Sequence, residues 1–229
     1  MKELSLNILD VAENSVKAGA NLTQILIEEE GNELVLSIID DGCGMSPEVV
    51  RSVVDPFYTT RTTRKVGMGV PLLKLACEQT EGSLSIESVT EEADSVNHGT
   101  KVTALFHTDH GNYISSGGAP ASSFQEYIFD AVLPGMIKTD RWEKNPEFYE
   151  NVPSRFTPLG DVISTICTLI QGHPDTDFLF RHTKGDSAVE LDTRQLREVL
   201  EDVPLSSWDV IQWIDSFLRE QYDEFNTVQ

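Results

Sequence analysis

The N-terminal segment of the chain changes from a helical pattern to a strand pattern within a few positions, and this change limits the fold most strongly. From Glu3 to Lys17, apolar residues recur every three or four positions, which predicts an amphipathic helix that ends at Gly19. Two runs rich in β-branched residues follow, Leu22–Glu28 and Leu34–Asp40, separated by a Gly-Asn turn. We therefore expect a helix followed directly by a β-hairpin.

Helical and strand patterns continue up to residue 109. Behind two glycines, Pro71 suits the first turn of a helix. An acidic loop separates two further alternating segments, which read as strands. The elements predicted here are a short helix over Pro47–Val54, a longer helix over Val70–Thr80, and strands over Ser83–Ser88 and Thr100–Phe106. Together with the first helix and hairpin they give an N-terminal α+β unit, residues 1–109.

Beyond residue 109 the pattern weakens and then returns. Residues 110–123 are rich in small and turn-forming residues and are predicted to be a flexible linker. Residues 124–157 carry many aromatic residues without a clear period and are taken as an insertion. Residues 158–229 predict a second, smaller α+β domain. Its predicted elements are a helix over Leu159–Gln171, a hairpin with its turn at Lys184-Gly185-Asp186, and helices over Thr193–Leu200 and Trp208–Tyr222.

The charge balance excludes several kinds of partner. The chain has 229 residues, with 38 acidic and 17 basic side chains and a formal net charge of −21. Nucleic acid and anionic lipid carry the same sign and would be repelled. Three cysteines without a CxxC pair indicate neither a disulfide framework nor a zinc knuckle, and they favour a reducing compartment. No apolar run fits a signal peptide or reaches the roughly 20 residues of a membrane span, so we expect a cytoplasmic protein.

Three polar residues of the first helix share one face. Asp10, Asn14 and Lys17 are spaced four and then three positions apart, so a carboxylate, an amide oxygen and an ammonium group lie in a row. A solvated helix face is the commoner meaning of such a stripe. A binding site is favoured here because the second strand ends in Asp40-Asp41-Gly42-Cys43-Gly44-Met45, where glycines allow a ligand to approach the backbone.

A basic, threonine-rich loop precedes the helix at Val70. It contains Thr60, Arg61, Arg64 and Lys65, in a chain that is otherwise strongly acidic. Gly67-Met68-Gly69 then opens the helix, where free amide groups and the positive end of the helix dipole favour an anion. This segment therefore predicts a phosphate-binding site. Further on, His98-Gly99-Thr100 opens the last strand of the N-terminal unit.

Four sequence boxes thus follow one another: the polar helix with Asn14, the Asp-x-Gly-x-Gly run at Asp40, the Gly-x-Gly run before the helix at Val70, and the Gly-Thr pair that opens a strand. In this order they resemble the Bergerat ATP-binding fold shared by gyrase, the heat-shock chaperone of that class, sensor histidine kinases and mismatch-repair ATPases. The resemblance covers about residues 3–108. Asn14–Ala20 looks like the mismatch-repair version of the first box, whereas Asp55–Thr60 looks like the kinase lid. The resemblance implies an α/β sandwich in which helices back a mixed sheet.

The resemblance also implies ATP and Mg²⁺ as cofactors. Asn14 would ligate Mg²⁺, Lys17 would contact a phosphate, and Asp40 would accept a hydrogen bond from the adenine amino group. Thr100 would support the adenine end. Asp10 sits where hydrolysing members place a glutamate general base, and its side chain is one methylene shorter. The remaining nucleotide-binding residues would be Gly42, Gly44, Met45, Thr60, Arg61, Arg64, Lys65, Gly67, Met68 and Gly69.

The C-terminal stretch carries a second resemblance. Pro158-Leu159-Gly160-Asp161 and the sequence onward to Leu200 are similar to the tail of small ATP-binding proteins encoded beside iron-iron hydrogenase genes in anaerobic bacteria. This resemblance implies a protein partner in a hydrogenase or redox system, with residues 111–152 as an insertion. Besides ATP or ADP and this partner, a homodimer is left open.

Three function classes remain for the chain. Sensor kinases phosphorylate a histidine on a helical hairpin that precedes the ATP domain, and no room for one exists before Glu3, so we do not expect autophosphorylation in cis. The classes are a kinase that acts on a separate protein, as the anti-sigma serine kinases do, a slow ATPase with Asp10 as general base, and an ATP-dependent switch whose C-terminal domain binds a partner.

Three further sequence features could be functional, but each has a more frequent structural explanation. His107, Asp109 and His110 could ligate a metal, but a polar strand end is the commoner meaning. Cys43 could sense redox state, although a small residue in a tight loop is commoner. The apolar stripe from Trp208 to Leu218 could dock a partner, but core packing is commoner.

Overall fold

The computed structural model describes residues 4–53, 69–109 and 161–227. Within these ranges the predicted helices and strands are confirmed, with bounds close to those expected. The elements are α1 Leu4–Lys17, β1 Leu22–Glu30, β2 Glu33–Asp40, α2 Pro47–Val53, α3 Gly69–Glu78, β3 Ser83–Val89, β4 Gly99–His107, α4 Val162–Gly172, β5 Asp177–Lys184, β6 Ser187–Asp192, α5 Thr193–Leu200 and α6 Trp208–Thr227.

Two helix ends differ from the sequence prediction for local reasons. Helix α4 begins at Val162 and not at Leu159, because Asp161 caps it by accepting a hydrogen bond of 2.9 Å from the Ser164 amide. Helix α6 continues past Tyr222, and Phe225 in this added turn is buried. The added turn therefore belongs to the core.

All six described strands form one mixed sheet, in the order β3-β4-β2-β1-β5-β6. Neighbouring strands are antiparallel except β1 and β5, which run parallel with Ile25 opposite Phe180. The hairpin predicted from the first two strands is thus present. It lies at the centre of the sheet, so both of its strands have two neighbours.

One face of the sheet is buried under helices. Successive residues of a strand point to opposite faces, and the buried residues are alternate ones, such as Ile25 and Ile27 in β1 and Leu36 and Ile38 in β2. Helices α1, α3, α4 and α6 supply the other half of the core. On α6, Ile211, Ile214 and Leu218 are buried, while Trp208 is 68% exposed. The described residues thus form an α+β sandwich, as predicted.

The C-terminal elements extend the N-terminal sheet. The sequence predicts a second, smaller α+β domain, and the structure contains its helices and its hairpin, but the hairpin is joined to β1. Without this hairpin, β1 would be an edge strand with unpaired peptide groups. Strand β5 pairs with these groups over Leu22–Glu29. Helix α4 packs on α1, where the Thr165 hydroxyl donates to the Ser5 carbonyl oxygen at 3.3 Å. The division at residue 109 into separately folding units stays a prediction.

Residues 54–68, the predicted linker over 110–123 and the predicted insertion over 124–157 lie outside the described residues. Among the helices that are described, none is long and apolar enough to cross a membrane.

A buried polar cluster connects the two parts of the sheet to α6. His182 of β5 is 1% exposed; its Nε2 lies 3.0 Å from Glu29 of β1 and its Nδ1 lies 2.9 Å from the Tyr222 hydroxyl of α6. Lys184 also pairs with Glu29, at 3.3 Å. Every polar atom of the imidazole therefore has a partner, as a buried polar group requires.

A glutamine side chain covers the middle of the free edge of β6. The Gln221 Oε1 atom accepts from the Glu190 amide at 3.0 Å, and its Nε2 donates to the Glu190 carbonyl oxygen at 3.1 Å. Helix α6 thereby pairs the amide and carbonyl groups of Glu190, which no described strand pairs with.

Candidate functional site

The carboxylate of Asp40 is held in one orientation at the end of β2. Its Oδ2 accepts a hydrogen bond of 2.8 Å from the Ser15 hydroxyl of α1. Its Oδ1 accepts from the amides of Gly42, at 3.0 Å, and Thr100, at 3.2 Å. An acceptor fixed by three donors from three segments is well placed to recognise one donor on a ligand.

The glycines after Asp40 make room for protein backbone. A Cβ on Gly42 would lie 2.9 Å from the Ala18 Cβ, and Gly44, with φ of +67°, packs against the Val89 carbonyl group. The sequence predicts that these glycines admit a ligand. In the structure, close packing of the loop on α1 and β3 already requires them, and their contact with a nucleotide stays a prediction.

Hydroxyl groups and a histidine connect this loop to β3 and β4. The Ser88 hydroxyl accepts from the Met45 amide at 2.8 Å and lies 3.0 Å from the Gly99 carbonyl oxygen and 2.9 Å from the Thr100 hydroxyl. His98 Nδ1 lies 2.6 Å from the Gly42 carbonyl oxygen, which can only accept, so Nδ1 carries the proton. The loop at Asp40 is therefore braced from both sides.

Helix α1 connects this carboxylate to the start of α3. Near its C-terminal end, Ser15 contacts Asp40; one to two turns earlier, the backbone and Cβ of Asp10 pack against Gly69, where an added Cβ would lie 2.7 Å from the Asp10 Cβ. Glycine at this position lets the N-terminus of α3 come close to α1. A fixed acceptor and a helix N-terminus, which favours anions, thus lie along one helix.

The predicted polar stripe of α1 is present. Asp10 and Lys17 are exposed and Asn14 is partly buried. The Lys17 ammonium group pairs with Glu13 at 3.2 Å, and Glu13 also contacts His173 at 2.7 Å. The hydrogen bond from His173 is the main reason that the pKa of Glu13 is lowered. His173, from the C-terminal elements, therefore lies next to the polar stripe of α1.

Oxygen donors on α1 fit a magnesium ion. Asp10 packs against Gly69 at the start of α3, and Asn14 lies four positions further along the same face of α1. Mg²⁺ in nucleotide sites takes few protein oxygens together with phosphates and water. Within the described ranges, no group of three or more His, Cys, Asp or Glu residues could hold a metal by itself. His110 and the predicted phosphate-binding residues Thr60, Arg61, Arg64, Lys65, Gly67 and Met68 lie outside those ranges.

A shallow cavity of about 210 Å³ lies behind the Asp40 loop. Ile39, Glu87 and Lys101 line it together with His98. These three strand residues alternate with the buried Ile38, the half-buried Ile86 and the buried Val102, so their side chains point away from the helices. The cavity is thus on the far side of the sheet from the Asp10 and Asn14 stripe, and we do not assign the nucleotide to it.

Sequence reasoning missed several residues that build this arrangement. Ser15 and Ser88 orient the Asp40 loop. Glu13 pairs with Lys17, and His173 contacts Glu13. Ser15 lies in the first box, Asn14–Ala20, and Glu13 directly precedes it, so their position was a signal. His173 is distant in the sequence and gave none.

The N-terminal part of the chain is similar to known proteins. Residues 2–110 match the family described as histidine kinase-, DNA gyrase B-, and HSP90-like ATPase. A putative sensor protein of Shewanella frigidimarina is 24% identical over 107 residues, which are 46% of this chain and 15% of the relative. Sensor protein SrrB of Staphylococcus aureus is 31% identical over 93 residues, which are 38% of this chain and 16% of the relative.

A solved structure is similar over more of the chain. The Aquifex aeolicus MutL ATPase domain complexed with ADP shares 14% identity with a TM-score of 0.44, over 88% of this chain and 70% of that one. The curated relatives are much longer than the part of them that this chain matches. Residues 2–110 thus match a histidine-kinase-like ATPase domain, and the mixed sheet backed by helices has the architecture of the Bergerat fold.

Proposed function

We propose that the protein binds ATP with Mg²⁺ along α1 and uses the bound nucleotide to regulate a partner protein. The observation that supports this best is the contact of one helix with both ends of the site: Ser15 with Asp40, and Asp10 with Gly69. A nucleotide has a base that needs a fixed acceptor and phosphates that favour a helix N-terminus, and this arrangement offers both.

In this proposal Asp40 accepts from the adenine amino group, with Thr100 and Met45 beside it. Asn14 ligates Mg²⁺, which supplies positive charge to the phosphates. Lys17 contacts a phosphate directly. The remaining phosphate contacts come from the start of α3 and from the loop before it, through Gly69 and through Thr60, Arg61, Arg64, Lys65, Gly67 and Met68.

The action that follows binding is transfer of the phosphoryl group to a separate protein, or a change in binding to that protein. The matched relatives are named as sensor proteins, which supports a regulatory role. The resemblance of the tail to that of small ATP-binding proteins encoded beside iron-iron hydrogenase genes supports a partner in a hydrogenase or redox system. A slow ATP hydrolase is the second candidate, because the Asp10 carboxylate is exposed and lies beside the start of α3.

Calorimetric titration of ATP and ADP with and without Mg²⁺ tests the binding. We expect binding by the wild type and a loss of roughly tenfold to hundredfold in Asp40→Asn, because a hydrogen bond to a charged acceptor contributes about 1.5–3 kcal/mol. Asp41→Asn is the matched control: Asp41 accepts from the Asn21 and Leu22 amides at 2.8 and 2.9 Å, away from the proposed ligand. No binding by the wild type would overturn the proposal.

Incubation with γ-labelled ATP and a lysate of the native host separates the actions. Label on a protein supports a kinase, free phosphate supports a hydrolase, and neither, with nucleotide-dependent partner binding, supports a switch.

A further inference from the structure

Glu13 of helix α1 connects the proposed nucleotide site to the C-terminal elements. Its two carboxylate oxygens have different partners: Oε1 is 2.7 Å from His173 Nε2 and Oε2 is 3.2 Å from the Lys17 ammonium group. One carboxylate is therefore shared between a residue of the proposed site and a residue some 160 positions away.

The position of His173 is set by the C-terminal fold. Its amide caps α4 by donating to the Leu169 carbonyl oxygen at 3.0 Å. Its own carbonyl oxygen accepts from Thr176 at 3.1 Å, and Asp177 then begins β5 by donating to the Asn21 carbonyl oxygen at 2.7 Å. The imidazole is thus delivered to α1 by a helix end and a strand start that are both hydrogen-bonded.

We propose that His173 is a positioning residue of the nucleotide site, which acts through Glu13 on Lys17. By holding one oxygen of Glu13, His173 limits the hold of this carboxylate on Lys17, so that the ammonium group can turn to a phosphate. This inference rests on the proposed nucleotide binding and adds a role for the C-terminal elements in it.

The exposure of the three side chains supports this order of events. Lys17 is 68% exposed, whereas Glu13 is 31% and His173 is 25% exposed. An exposed ion pair within one helix is weak and easily exchanged, and a phosphate chain offers Lys17 several negative charges. The less exposed contact between Glu13 and His173 remains in place. It also keeps the Glu13 charge directed toward α4 instead of toward the phosphates.

The test is nucleotide affinity in variants of the full chain. Without the imidazole, Glu13 is free to pair with Lys17 alone, so His173→Ala should weaken ATP binding, roughly twofold to fivefold for a contact of this kind. Affinity for adenosine, measured by competition, should stay unchanged because adenosine has no phosphate. His173→Gln retains a donor near the Nε2 position and should restore ATP affinity.

Removal of the shared carboxylate should reverse the effect. Glu13→Gln frees Lys17 and should strengthen ATP binding, and His173→Ala added to this variant should change nothing further. His107→Ala is the matched control, since His107 lies 3.9 Å from Glu33 at the other end of β4 from Thr100. Thermal unfolding of each variant checks that the fold is intact.

Several outcomes would overturn the inference. Equal losses of ATP and adenosine affinity in His173→Ala would show that His173 acts on the fold alone. Unchanged ATP affinity, or additive effects in the double variant, would remove the connection through Glu13. If wild-type protein bound neither ATP nor adenosine, the proposed function itself would fail, whereas normal wild-type binding with an inert His173 would refute only this inference.

Discussion

Asp10 is the residue that distinguishes the proposed regulatory action from ATP hydrolysis. Its backbone and Cβ are fixed against Gly69, while its carboxylate is exposed. A general base must hold a water in line with the terminal phosphate, and its loss costs about 10² to 10⁴-fold in rate. In the proposed site, the aspartate side chain is one methylene shorter than the glutamate that the resemblance implies for hydrolysing members, so it would reach this water less well.

We therefore expect slow hydrolysis by the wild type, little change in Asp10→Asn and a gain in Asp10→Glu. Steady-state phosphate release at saturating Mg·ATP measures all three. Brisk wild-type turnover that collapses in Asp10→Asn would instead identify Asp10 as a general base and the protein as an ATPase.

For single residues, the sequence predicts which side chains share a helix face, but it does not predict the hydrogen bonds that orient them. The spacing of Asp10, Asn14 and Lys17 was sufficient to place them on one face of α1. The three donors to Asp40 could not be predicted in the same way, because Ser15 is a buried helix residue whose partner lies 25 positions away. Such contacts depend on how α1 lies against β2, which local spacing does not define.

Among the elements, β1, β5 and α6 meet at Glu29, His182 and Tyr222. Glu29 has a pKa below its ordinary value of 4.5, chiefly because His182 hydrogen-bonds to it, with Lys184 adding positive charge. Burial and the Glu29 charge raise the pKa of Tyr222, so its phenol stays protonated. A carboxylate with a lowered folded-state pKa stabilises the fold above its unfolded pKa, and this stabilisation is lost as pH falls through the folded value.

We expect wild-type protein to be more stable than Glu29→Gln at pH 7, and the difference to shrink below about pH 4.5 as Glu29 takes up a proton. Urea unfolding at a series of pH values measures it. Glu28→Gln is the control, because Glu28 is exposed on the other face of β1. A difference that is constant down to pH 3 would contradict this assignment of the cluster.

For the whole molecule, the sheet joins parts that the sequence separates. Helical and alternating patterns predict each element well, but they do not say which strands pair. Ile25 and Ile27 would alternate in the same way whether β1 had one neighbour or two. The parallel pairing of β1 with β5 joins residues about 150 positions apart, such as Glu29 and His182 with a separation of 153, and leaves no local signal.

This pairing predicts the behaviour of a shortened chain. Residues 1–109 alone would expose the β1 edge and the side of α1 that α4 covers, and an exposed edge pairs with other chains. We expect this fragment to be less stable than the full chain and to associate, as measured by light scattering and urea unfolding. Addition of residues 158–229 should restore a single species. A stable, monomeric fragment would instead support the division into two domains at residue 109.

Gln221 has a consequence for behaviour at high concentration. A carboxamide carries the same donor and acceptor as a peptide group, and on β6 it occupies the middle of the outer edge by binding both groups of Glu190. An incoming strand would first have to displace α6 from this position. The glutamine thus occupies the middle of this edge without adding a strand, and it makes the Glu190 amide and carbonyl groups unavailable to a strand of another chain.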